Sequence, residues 1–320
     1  MNNYQTHKKN YLTIAFFLFA SICQAQWKEE TYLTDDSVRI TYYIKGTGAP
    51  MLIIPGGPGY DASYLLSLAD TLAKELPSYH NKREPLQFTY IIPDLRGTGK
   101  SKIAAGDIER KVNFKNVITD LEQLRKKLGY QHWAVTGHSF GGLLAQYYSC
   151  LFPEAIDHMV LLSTPDLNWN WNTNIGLHKI SLLTPVELAL LDTLQSKMRK
   201  GGNIDSLKLA YDRAMLPVYI FQRADTLKIM EILKEVTINM AVFNKMVAEL
   251  YGNYKFITVN LPAIKMPVMI LHGRMDPMGE GVAYENQKLI PHAIISFSNN
   301  GHFLWVENSY QVGNAFNAFF

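Results

Sequence analysis

The run Gly137-His138-Ser139-Phe140-Gly141-Gly142 stands between a β-rich stretch, Trp133–Thr136, and a helical one, Leu143–Leu151, and nothing else in the chain narrows its fold so far. A turn this tight between a strand and a helix forces its central residue into a strained backbone. It is tolerable only where neighbours such as Gly137 and Gly141 carry no side chain to collide. Ser139 is thereby lifted clear of the carboxyl edge of a sheet, with a helix leading away behind it. Such a strand–turn–helix unit belongs to a parallel sheet covered by helices.

The remaining apolar runs agree. They are short, β-rich and separated by helical patterns, which predicts an α/β fold with a mostly parallel central sheet and helices on both faces. Glu30–Thr34 and Val38–Ile44 read as an opening hairpin around Asp35-Asp36. Met51–Ile54, Phe88–Ile92, Trp133–Thr136, His158–Leu162, Val268–Leu271 and Ala293–Phe297 read as buried strands. Asn113 caps a helix whose Val117, Leu121, Leu124 and Leu128 recur at helical spacing before Gly129 stops it. The rhythm breaks between about Pro165 and Pro262, where strand runs vanish and helical periodicity takes over. The expected organisation is a core over 26–164 and 263–320 with an inserted helical cap over 165–262. One long cap helix is expected from Asp225 to Gly252, with Leu227, Met230, Leu233, Val236, Met240, Phe243, Val247 and Leu250 on one stripe.

Lys+Arg 31 against Asp+Glu 28 leaves a formal charge of +3, too balanced for the basic surface that nucleic-acid binding requires. Lys8 and Lys9 precede an apolar run, Tyr11–Ile22, that ends in Cys23-Gln24-Ala25-Gln26, the three-part pattern of a secretory signal peptide over 1–25. The run is about 12 residues long, short of the roughly 20 that cross a bilayer, so no stable membrane insertion is expected after cleavage. The expected mature protein is secreted or periplasmic and starts at Gln26, which intact-mass measurement of exported material reads directly; a Met1 start would contradict it. It would keep a single cysteine, Cys150, as suits a periplasm-like space better than a disulfide-stapled domain. Nothing in the sequence sets an oligomeric state.

A serine hydroxyl is a poor nucleophile at neutral pH, so it needs a base to take its proton and a carboxylate to hold that base in the right tautomer. Asp276 follows the run Val268–Leu271, and His302 follows Ala293–Phe297. Both fall just past strand ends, at the edge where Ser139 is expected, and in the chain order Ser, Asp, His. His292 precedes its strand and so belongs to the opposite edge, while His272 reads as structural. Two N–H donors are also needed for the charge that develops on an attacked carbonyl. Phe140, next after the serine, supplies one. The loop Pro55-Gly56-Gly57-Pro58-Gly59 supplies the other through Gly57, with a cis bond to Pro58 as one way to shape the turn. The glycine spacing does not match a phosphate-binding loop.

Through Gly56-Gly57-Pro58-Gly59, Asp94-Leu95-Arg96-Gly97-Thr98-Gly99-Lys100-Ser101, the serine elbow and the Asp276 and His302 loops, the chain resembles the α/β-hydrolases, and among them the proline iminopeptidase family of serine peptidases. The resemblance implies a helical cap and release of N-terminal residues, often proline, from short peptides, with neither cofactor nor metal. Arg96 is expected to tie loops together. An aminopeptidase must hold a protonated amine, which directs attention to cap acids; Glu231, Glu235 and Glu187 are the candidates, Glu231 and Glu235 first because they flank the apolar stripe. The elbow Gly-His-Ser-Phe-Gly-Gly also occurs in esterases, so a small-molecule ester, or hydrolysis of a carbon–carbon bond, remains the alternative.

Overall fold

The computed structural model describes residues 26–76, 86–168 and 170–320; the expected leader lies outside them. Eight strands form one sheet: β1 Lys28–Leu33, β2 Arg39–Gly46, β3 Ala49–Ile54, β4 Phe88–Pro93, β5 Trp133–His138, β6 Ile156–Leu162, β7 Val268–Gly273 and β8 Ile294–Ser298. Their order is β1-β2-β4-β3-β5-β6-β7-β8, with β1 and β2 antiparallel and every pair from β4 to β8 parallel. The helices are α1 Leu66–Glu75, α2 Ile108–Lys111, α3 Phe114–Lys127, α4 Phe140–Leu151, α5 Asn170–Leu182, α6 Pro185–Arg199, α7 Ile204–Tyr219, α8 Thr226–Leu233, α9 Met240–Asn260, α10 Gly281–Leu289, α11 Leu304–Glu307 and α12 Ser309–Phe319. Among the described residues no helix is long and apolar enough to cross a membrane.

The unbroken apolar runs have a simple cause. Alternate side chains of a strand point to opposite faces, and here both faces are covered. Leu52 and Ile54 of β3 join the apolar layer that includes Val117, Leu121, Leu144 and Met246, whereas Met51 and Ile53 join Leu65, Leu68, Trp305 and Phe316 on the other side. Each such fully buried side chain contributes about 1.5–3 kcal/mol relative to an exposed one.

Helix α3 begins where its cap says it should: Asn113 accepts a hydrogen bond from the Asn116 N–H at 2.8 Å. Arg96 is buried and ties loops together, donating to Asp120 through Nε at 2.7 Å, to Asp36 at 3.0 Å and to the Lys111 carbonyl at 2.9 Å. Removing either Arg96 or Asp120 would strand the other charge in the core, a loss of roughly 3–5 kcal/mol.

Between β6 and β7 the described chain is helical, α5 through α9, with Leu191, Met215 and Val218 in a small apolar core of its own. The single long helix expected from Asp225 to Gly252 is two helices. Leu227 and Met230 of α8 are exposed, and residues 234–239 run between α8 and α9. The β-branched run Val236-Thr237-Ile238 favours extended backbone, and Asn239 restarts the helix by accepting from the N–H groups of Ala241 and Val242. Gly252 does not stop α9, which continues until Pro262 removes a donor.

Candidate active site

Strand register assembles the site. Ile54 pairs with Gly137, so the loop after β3 and the elbow after β5 emerge side by side, at the point where the strand order reverses. Gly273 pairs with Ser298, so the loops carrying Asp276 and His302 also emerge together at the same edge.

At the elbow Ser139 has φ 54° and ψ −125°, a left-handed conformation that costs a side-chain-bearing residue of order 1–3 kcal/mol. Close packing holds it there: the Ser139 N–H donates to the Leu162 carbonyl at 2.9 Å, and a Cβ on Gly141 would lie 2.1 Å from the Ile54 carbonyl oxygen. Only glycine lets α4 approach β3 this closely. Ser139 is half-buried, with Phe140 opening α4 directly behind it.

Asp276 and His302, far apart in sequence, meet at Asp276 Oδ2···His302 Nδ1, 2.7 Å, and both are buried. Burial alone raises a carboxyl's pKa. Here the charges of His302 and His272, with hydrogen bonds from His302 and the Met278 N–H, outweigh it and hold Asp276 down at about 2. It is therefore a carboxylate across the neutral range. A carboxylate only accepts, so Nδ1 of His302 carries the proton, and Nε2 is left as the basic nitrogen. The His302 backbone is fixed as well, its N–H donating to the Tyr219 carbonyl at 2.7 Å.

His292 donates through Nε2 to the Met266 carbonyl at 3.0 Å, away from this edge, and His272 is fully buried beneath the site. The donor loop is shaped without a cis bond, since among the described residues every peptide is trans; Gly57 and Gly59 turn the chain instead, with φ 59° and 96°. The Gly56 N–H is occupied by the Tyr64 hydroxyl at 2.8 Å, which leaves Gly57 as the next donor in the loop. Phe140 N–H lies in the first turn of α4, where an N–H has no intrahelical acceptor. Ser139, His302, Asp276, Gly57 and Phe140 are thus brought to one edge, an arrangement able to carry out acyl transfer.

The three cap acids singled out from sequence are not brought there. Glu231 is exposed and paired with Lys234, and Glu235 is exposed in the turn that follows α8. Glu187 caps α6 with Thr184 and pairs with Arg223 at 2.9 Å; those contacts hold its carboxyl at about 2. The break after α8 turns Glu231 and Glu235 away from the positions one unbroken helix would give them, and Glu187 is taken up in the cap of α6. An acid that the cap does bring to this edge is Asp212 on α7, which accepts from the Tyr60 hydroxyl and pairs with Lys208. Tyr60 packs on the donor loop, since a Cβ on Gly57 would meet its ring at 1.9 Å. In sequence Asp212 is an ordinary partner four residues after a lysine, with no sign of its location. The segment 234–239 is likewise stitched to the donor loop, through Thr237 N–H and hydroxyl to Asp61, both 2.6 Å, and Asn239 N–H to the Gly59 carbonyl, 2.9 Å.

Residues 49–309 match the family described as alpha/beta hydrolase fold. The chain is 30% identical over 168 residues to a proline iminopeptidase of Lactobacillus delbrueckii subsp. bulgaricus, covering 52% of this chain and 50% of that protein. It is also 30% identical over 129 residues to a proline iminopeptidase of Xylella fastidiosa strain Temecula1, covering 40% and 36%. The matched stretches span between about a third and a half of the length of these curated relatives. A proline iminopeptidase structure from Mycobacterium smegmatis superposes with TM-score 0.65 at 17% identity over 91% of this chain and 97% of its own. An esterase from Exiguobacterium antarcticum gives 0.64 at 13% over 91% and 98%, so these likenesses speak for the fold alone. With the sheet order, the serine elbow and the family match over most of its length all in agreement, the chain belongs to the α/β-hydrolase family.

Proposed function

We propose that the protein is a serine hydrolase working through an acyl-enzyme, and specifically an aminopeptidase that releases N-terminal residues from short peptides. The observation that carries the hydrolytic part is the buried Asp276–His302 pair beside the strained Ser139 elbow. In this reading Ser139 Oγ attacks the carbonyl carbon while its proton passes to His302 Nε2, and Asp276 stabilises the imidazolium. The N–H groups of Gly57 and Phe140 hold the oxyanion. Collapse breaks the C–N bond, His302 returns the proton to the leaving amine, and water repeats the sequence to free the acid and restore Ser139.

The peptidase part rests on the similarity to proline iminopeptidases and on Asp212. A substrate ammonium leaves water only where a carboxylate replaces its hydration. Asp212, held by Tyr60 beside Gly57, offers that replacement, with Lys208 occupying the place a substrate amine would take.

The test compares proline and alanine aryl amides with free and N-acetylated amines, and a short-chain aryl ester, on the parent and Asp212→Asn. Blocking the amine should abolish amide turnover. Asp212→Asn should raise KM for the free-amine substrates about 10- to 100-fold, the worth of one charge-assisted hydrogen bond, with ester hydrolysis near the parent's. Equal cleavage of free and acetylated substrates would remove the amine site and favour the esterase reading, to which the occupied state of Asp212 already lends weight.

A further inference from the structure

His138 lies beside the nucleophile in the chain and is buried, yet it takes no part in the acyl-transfer steps. Its two ring nitrogens are both engaged: Nε2 contacts the His302 backbone carbonyl at 3.2 Å and Nδ1 the Tyr64 hydroxyl at 3.0 Å. The directions of these bonds are fixed by chemistry. A carbonyl only accepts, so Nε2 carries the proton. Burial first of all, and then the neighbouring His302, push the His138 imidazole well below its ordinary pKa, so it is neutral and Nδ1 is an acceptor. The Tyr64 hydroxyl must then donate to Nδ1, while its oxygen receives the Gly56 N–H at 2.8 Å.

One relay therefore runs from Gly56 N–H to Tyr64 O–H to His138 Nδ1, and from His138 Nε2–H to the carbonyl of His302. Its ends are the donor loop and the base-bearing loop, and its middle is the residue before the nucleophile. Around it the packing leaves little room to shift: the His138 ring lies 4.8 Å from that of His302, 5.0 Å from Trp305 and 5.6 Å from Tyr64, centroid to centroid. The Tyr64 backbone carbonyl is itself held by the Ser67 hydroxyl at 2.7 Å, and Ser67 by Trp305 Nε1 at 2.9 Å.

We propose that His138 and Tyr64 are positioning residues, which set the distance between the donor loop and the His302 loop across Ser139 and so align oxyanion hole, nucleophile and base. This rests on the serine-hydrolase reading above. A misalignment of about 1 Å at a reacting centre can cost on the order of 100-fold in rate, so a relay that fixes three loops acts on turnover rather than on substrate binding.

The experiment uses the full chain and two readouts: the rate at which a fluorophosphonate probe labels Ser139, and kcat and KM for a short-chain aryl ester. His138→Phe keeps a ring of similar size but neither nitrogen, and Tyr64→Phe deletes one oxygen. Each should slow labelling and lower kcat about 10- to 100-fold with KM near the parent's, and the double variant should be little slower than the worse single one, because both break the same chain. His138→Gln should recover most of the loss, its amide offering one donor to the His302 carbonyl and one acceptor to Tyr64. A merely structural role would instead lower the unfolding midpoint and leave kcat per folded molecule unchanged. Labelling of His138→Phe within about two-fold of the parent overturns the inference, and should that variant not fold, the same result for Tyr64→Phe does so. If the parent itself goes unlabelled, or Ser139→Ala labels as fast as the parent, the serine-hydrolase reading fails and this inference with it.

Discussion

Ser139→Ala should lower kcat by about five to six orders of magnitude on any substrate the parent turns over, with the fold and its unfolding midpoint intact. The hydroxyl is both the attacking atom and the source of the proton that His302 receives, so no remaining group forms the acyl-enzyme. Alanine keeps the Cβ that packs at the elbow and so leaves the backbone strain at φ 54° unchanged, which is why stability is expected to hold. His302→Ala should fall to a similar floor, and the double variant no further, because the two groups act as one unit. What remains, about three to four orders above water, would come from the Gly57 and Phe140 donors and from binding. Steady-state rates with unfolding curves on the same samples decide it. Either single variant working close to the parent rate would end the assignment.

Asp276→Asn should cost about four orders of magnitude in kcat. The cause is specific. Asp276 accepts the Nδ1 proton of His302 at 2.7 Å and also the Met278 N–H at 3.0 Å. An asparagine can turn its NH2 toward His302, and the imidazole then carries its proton on Nε2, where it faces Ser139 and cannot act as a base. Geometry should survive, and the loss should appear in kcat. His292→Ala, at the other end of β8's approach and bonded to the Met266 carbonyl, is the control and should leave turnover near the parent's. A comparable loss from His292→Ala in folded protein would mean that the base had been misidentified.

Much of the core could be read from the sequence, and for a physical reason. A strand buried on both faces is apolar over most of its length, so β3 and β7 announce themselves through the runs Met51–Ile54 and Val268–Leu271. The serine elbow is equally legible, because close approach of α4 to β3 demands glycine at Gly141. The cap was harder. The apolar stripe from Leu227 to Leu250 keeps helical spacing across a break, and only Val236-Thr237-Ile238 followed by Asn239 marked the place where the chain leaves the helix to pair with the donor loop. Which acid overhangs the site depends on how the cap docks, and no local pattern encodes docking; Asp212 looks in sequence like half of a surface pair with Lys208. Tyr64 and His138 carried no signal either, since the relay they form exists only once three loops have converged.

The central claim is that Ser139 is a nucleophile activated by His302 and Asp276. The most direct measurement is covalent capture: the folded protein is treated with a fluorophosphonate, digested, and the modified peptide located by mass spectrometry. The expected result is a single stoichiometric adduct on Ser139, absent from Ser139→Ala and strongly slowed in His302→Ala and Asp276→Asn. An unlabelled Ser139 in folded protein, or an adduct elsewhere at comparable rate, would contradict it.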